Sequence, residues 1–163
     1  MNPLWSYFWP LFALGLLLGG LAGSIWLRRK RRLALLVGAA VALAGSALWH
    51  GPVGAADRFA ATVDRSAQRT LTDFEMSQIE AHLRRGPLSR RLILSGPADD
   101  FQRTELVRIM SATPGVSRAT WSTGAGLPLL AEAALASASG FLLGLLLAYL
   151  VELHRRHNAQ WKW

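Results

Sequence analysis

Apolar residues gather in three blocks of this chain, at positions 4–27, 33–49 and 127–153, and are thinly spread elsewhere. Each block is long enough, or nearly so, to carry a helix across about 30 Å of hydrocarbon at about 1.5 Å per residue. The second is the shortest, and is expected close to the membrane normal or slightly extended at its ends. Pro10 falls inside the first block, where it either kinks the helix or confines regular helix to the residues after it. Pro128 opens the third, where a missing N–H costs little. Residues 52–126 are too few for a large core but sufficient for a small α+β module. The expected class is a mainly α membrane protein with three transmembrane helices. Its parts are a helical hairpin in 1–49, an extramembranous α+β domain in 50–126, a third span in 127–153 and a tail in 154–163.

Within the middle region the pattern is punctuated by turn residues. Positions 57–69 predict a helix with Phe59, Ala60, Val63 and Ala67 on one face. Thr72-Asp73-Phe74-Glu75 fits a capping box, which predicts a second helix with Met76, Ile79 and Leu83 on one face, stopped by Gly86-Pro87. Positions 91–95 read as a strand ending at Gly96-Pro97. Asp99, with Gln102 three residues on, can cap a further helix whose apolar face is Leu106, Ile109 and Met110. Pro114-Gly115 ends it, and 116–121 read as a last strand. From Thr72 onward the expected order is αβαβ.

The run Leu92-Ile-Leu-Ser-Gly-Pro-Ala-Asp-Asp-Phe-Gln-Arg103, followed by Pro114-Gly115-Val116 and a terminal strand, resembles a BON domain over roughly 72–121. That family is typically a bacterial envelope module. The resemblance implies a binding or interaction domain, with phospholipid, peptidoglycan or protein as candidate partners, and no catalytic residues. The family usually places two strands between its helices, whereas the reading above leaves room for barely one and a half in 86–96.

Charge then orients the chain. Its formal charge is +8, and the cations cluster beside the apolar blocks: Arg28, Arg29, Lys30, Arg31 and Arg32 after the first, and Arg155, Arg156 and Lys162 after the third. Cations in short loops favour the cytoplasmic side, so both clusters predict a cytoplasmic C-terminus with the N-terminus and middle domain outside. The excess of Arg over Lys suggests a bacterial source, and with it the expected location is a bacterial inner membrane with that domain in the periplasm. Trp5, Tyr7, Phe8, Trp9, Trp26, Trp49 and Tyr149 fall where interfacial anchors belong. The first block is an anchor and not a cleaved signal, because no cation precedes it and another span follows. The middle region holds ten Arg against eight acids, a near balance that argues against a nucleic-acid partner.

Small residues recur at four-residue spacing in each block: Gly15, Gly19 and Gly23; Ala34, Gly38 and Ala42; Ala136, Gly140, Gly144 and Ala148. Such stripes let helix backbones approach closely in lipid. They are expected to pack the three helices on one another. Three helices do not readily satisfy three stripes among themselves, so one stripe is also a candidate partner interface.

Chemical motifs are sparse. With no cysteine there are no disulfides, thiolate metal sites or iron–sulfur clusters. No phosphate-cradling glycine loop, His-Glu-x-x-His or Gly-x-Ser-x-Gly occurs. His82 reads as a surface residue and His50 as interfacial. His154 and His157 share a helical turn with Arg155 and Arg156 between them, which disfavours a metal. Glu132 and Glu152 lie near the ends of the third span, Glu132 where the helix dipole favours an anion. Arg84, Arg85, Arg90 and Arg91 surround one loop and are candidate contacts for anionic headgroups or an acidic partner. No catalytic, cofactor or metal site and no small-molecule substrate is expected. The expected function is a non-enzymatic accessory or scaffold subunit of a larger membrane complex, of the respiratory or photosynthetic kind. Its partners would be membrane lipids and other membrane subunits. The alternatives are an independent envelope anchor whose outer domain binds phospholipid or peptidoglycan, and a small membrane enzyme or transporter using Glu132 or His50.

Overall fold

A computed structural model describes residues 2–29, 31–124 and 126–160. Lys30 and Lys162, two of the cations used above for orientation, lie outside them. Eight elements follow in the order α1 (Pro3–Arg29), α2 (Leu33–His50), α3 (Ala55–Asp73), β1 (Glu80–Arg85), β2 (Leu88–Ser95), α4 (Asp100–Ser111), β3 (Arg118–Thr120) and α5 (Leu129–Gln160). They divide into two compact units, one of Met1–Tyr7 with Gly54–Glu132 and one of Phe8–Val53 with Ala133–Trp163.

The second unit is a bundle of α1, α2 and α5, all three long and apolar enough to cross a membrane. Helix α1 begins at Pro3 and runs through Pro10 without a break, so Pro10 does not delimit it. Helix α5 continues past the apolar block to Gln160. The tail is helical over its described residues, as the shared turn of His154 and His157 implies, and ion pairs from Arg155 and Arg156 back to Glu152 brace that extension. Many of the large apolar side chains lie on the outside, as with Leu36 at 71% exposed and Leu17 at 66%. In water such a surface would aggregate; in hydrocarbon it is the solvated face. A multi-pass membrane protein is the reading these three helices support.

Close backbone approach holds the bundle together. A methyl group added at Gly15 or Gly19 would strike the carbonyl oxygens of Ser137 and Phe141 on α5. The same group at Gly140 or Gly144 would strike those of Phe12 and Leu16 on α1. Gly23 meets Ala148 and Leu145, and Gly38 meets Ala22 and Phe141, which seats α2 against both neighbours. Ala42 is buried with Ala22 and Phe141, and its carbonyl accepts a 3.2 Å hydrogen bond from the Ser137 hydroxyl. These contacts are the packing of the three helices on one another that the stripes predict. Glycines on α1 and α5 serve each other, and the α2 stripe closes on both.

The first unit is α+β. Its sheet has the order β1-β2-β3, with β1 antiparallel and β3 parallel to β2. Helix α3 buries Phe59, Ala60, Val63 and Ala67, the face expected from the sequence, extends it by a turn to bury Leu71, and packs on β1. Helix α4 opens with the capping box of Asp99 and Gln102, buries Leu106 and Met110, and packs on β3. Gly115 has a φ of +100°, and a side chain there would press into Val63, Pro3 and Phe59.

One predicted helix is absent. Thr72–Glu75 does not start a helix but ends α3. The Glu75 and Met76 amides donate to the Thr72 and Leu71 carbonyls, and Glu75 sits at φ +57°, which is a Schellman stop. The Thr72 hydroxyl bonds back to the Gln68 carbonyl instead of capping forward. Residues 80–85 are strand β1, and Gly86-Pro87, with a cis peptide bond, forms the two-residue loop of a β1–β2 hairpin. His82 accordingly lies on a strand and not a helix. The order of this unit is αββαβ, with two full strands between its helices.

Candidate functional site

Alternation along the strands gives the sheet two faces of different chemistry. Ala81, Leu83, Leu92, Leu94 and Ala119 are buried and point to the side on which the helices pack. Glu80, His82 and Arg84 on β1, Arg91, Ile93 and Ser95 on β2, and Arg118 and Thr120 on β3 point the other way. The register sets His82, Ile93 and Thr120 in one row across the strands, with Arg91 beside Arg118 in the next. Arg84 lies at the same end as those two, and its guanidinium donates a 2.9 Å hydrogen bond to the Gly124 carbonyl. The result is a half-open face with an isoleucine at its centre, three arginines at one end and Glu80 and Ser95 at the other.

The four arginines expected to act together therefore separate. Arg84 and Arg91 lie on the open face. Arg85 turns to Asp64 of α3 at 2.9 Å, and the other oxygen of Asp64 accepts the Leu83 amide at 2.7 Å. Asp64 thereby occupies the outer edge of β1, which would otherwise offer unpaired amides to another strand. Arg90, on the same side as Leu92 and Leu94, pairs with Glu132 in the first turn of α5 at 2.9 Å and also donates to the Gly115 carbonyl. Both partners of that pair are mostly buried, with side-chain exposures of 22% and 18%. Glu132, a candidate for transport chemistry on sequence grounds, is held as a structural partner. The arginine that sequence reasoning missed is Arg118. Its signal was the alternation of Arg118, Ala119 and Thr120 within the expected last strand.

Other sequence candidates are placed as follows. Glu152 is buried on α5, with guanidinium nitrogens of Arg156, Arg155 and Arg28 at 3.1, 3.5 and 3.9 Å. Arg29 ends α1, and Arg31 and Arg32 lead into α2. His154 accepts or donates in a 2.9 Å contact with Asn158. Trp121 donates its indole N–H to the Arg103 carbonyl and stacks under the Arg103 guanidinium, 5.4 Å from the ring centre. Arg108 is exposed on α4, where a hydrogen bond with Glu105, and then that group's charge, push its pKa up further. Among the described residues no three His, Asp or Glu side chains converge as metal ligands do. The hydroxyl of Ser89 is buried without a hydrogen-bond partner.

No family model matches this chain, and neither the curated proteins nor the solved structures yield a match.

Proposed function

We propose that the chain is a non-enzymatic accessory subunit of a larger bacterial inner-membrane complex, and that its periplasmic α+β domain holds a partner subunit through the open face of the sheet. The observation that carries this reading is the asymmetry of that sheet. Helices bury one face, while the other carries exposed Arg118 and half-buried Arg84 and Arg91 at one end, with Ile93 at its centre. Cations there would steer and orient an acidic partner surface, and the apolar centre would supply desolvated contact. The bundle's small-residue faces are occupied within the chain, so the partner contact is assigned to the domain and to the outer leucine surface of the helices. Affinity purification of a C-terminally tagged copy from native membranes in gentle detergent tests this. A stoichiometric set of membrane subunits supports it, and recovery of the chain alone refutes it.

A second reading is favoured by the αββαβ order, which supplies the two strands between helices that the BON resemblance implies. In it the domain binds envelope phospholipid or peptidoglycan. Sedimentation of the detergent-solubilised full chain and its Arg118→Glu variant with purified sacculi, and capture of each on immobilised anionic phospholipid, separate the two, since a subunit that needs only its protein partner shows no binding that depends on Arg118.

A further inference from the structure

One end of the helical bundle collects positive charge. Arg28 and Arg29 close α1, Arg31 and Arg32 lead into α2, and Arg155 and Arg156 lie on the last turns of α5. Glu152 ties three of them together through its contacts with Arg28, Arg155 and Arg156. The sequence places no other acid in 8–53 or 133–163, so six arginines are matched by a single carboxylate. Each of Arg28, Arg155 and Arg156 is more than half exposed even while in contact with it. Exposed cations in this excess call for an anion from outside the chain.

The same unit carries a groove between α2 and α5, of about 310 Å³, lined by Ala39, Ala42, Leu43, Ala138, Phe141 and Leu142. Its walls are wholly apolar. Counting along α2 from Arg32, and along α5 from Glu152, the groove starts about 10–15 Å from the arginines at the helical rise. One leaflet of hydrocarbon is about 15 Å thick, so an acyl chain whose headgroup sits among the arginines has the length to enter it. Alanines at 39, 42 and 138 make the space; larger residues would close it.

We propose that this end of the bundle is a binding site for one anionic phospholipid, its phosphate held by the arginines and one acyl chain laid in the α2–α5 groove. Charge complementarity selects the lipid class, and the groove distinguishes a seated lipid from a diffuse counter-ion layer.

The test uses the full chain, delipidated in mild detergent and titrated with phosphatidylglycerol or phosphatidylcholine of matched acyl chains, with adducts read by native mass spectrometry. Wild type should retain phosphatidylglycerol about tenfold better than phosphatidylcholine. Arg31→Gln with Arg32→Gln, which leaves the Glu152 contacts intact, should remove that preference. Ala138→Leu should lower retention of both lipids, and Arg118→Glu should change neither; circular dichroism checks that each variant is folded. Equal retention of the two lipids by wild type, or an unchanged preference in the Arg31/Arg32 variant, would overturn the proposal. So would a photo-crosslinker at position 142 that captures a protein in native membranes where lipid is expected.

Discussion

In the bundle the tightest contacts join backbone to backbone, with Gly15, Gly19, Gly140 and Gly144 lying against carbonyl oxygens of the facing helix. In the α+β unit the buried positions are side chains: Phe59, Val63, Leu71, Ile79, Leu83, Leu92, Leu94, Leu106 and Met110. Leucines are plentiful in both, yet most face outward in the bundle, Leu11 excepted, and most in the sheet and its packed helices face inward. The solvent explains the reversal. Water drives large apolar groups inward, whereas lipid gives leucine no reason to leave it and rewards only close packing. The same residue therefore predicts opposite positions, according to the length of the apolar run around it.

That contrast can be broken by substitution, and the largest effect is expected in the bundle. Gly144→Leu would drive a side chain into the Leu16 carbonyl, and a cost of more than about 3 kcal/mol, enough to lose the packed bundle, is expected. Gly20→Ala, where the nearest atom is 3.9 Å away, should be tolerated. Thermal unfolding in detergent followed by circular dichroism distinguishes the pair. If Gly20→Ala proved as damaging as Gly144→Leu, the backbone-contact account would be wrong.

Next comes the Arg90–Glu132 pair. Arg90→Met leaves a mostly buried carboxylate without its cation and should cost about 2–3 kcal/mol, read as faster hydrogen exchange in α3 and α4. Adding Glu132→Gln should restore much of that loss; a strictly additive double variant would show that the two groups do not interact. Smaller and opposite in sign is Glu75→Gly. It relieves a non-glycine residue at φ +57° and should stabilise the α+β unit by about 1 kcal/mol in the same exchange measurement. Destabilisation would argue against the Schellman stop. Smallest of all, Arg108→Ala should leave exchange rates in α4 unchanged, because the pair with Glu105 is exposed.

Much of this architecture is legible in the sequence because the signals are long-range or doubly specified. The three apolar blocks mark α1, α2 and α5, the Phe59–Ala67 periodicity marks α3, and Asp99 with Gln102 fixes the start of α4. Residues 73–85 misled because two patterns overlap there. Met76, Ile79 and Leu83 have helical spacing among good helix formers, but Ile79, Ala81 and Leu83 also alternate with Glu80, His82 and Arg84. Pairing with β2 decides for the strand, and that partner lies outside any local window. The open face was legible only in fragments for the same reason. Arg84, Arg91 and Arg118 come from three strands, and a helix expected after Thr72 leaves Arg84 off the sheet altogether.

In the proposed function a partner is held on the sheet's open face. Tagged wild type and an Arg91→Glu, Arg118→Glu variant, purified side by side from native membranes in gentle detergent, test it most directly by mass spectrometry of what each retains. A set of membrane subunits present with wild type and lost from a folded variant is the predicted result. The same set retained by both, or none retained by wild type, would contradict it.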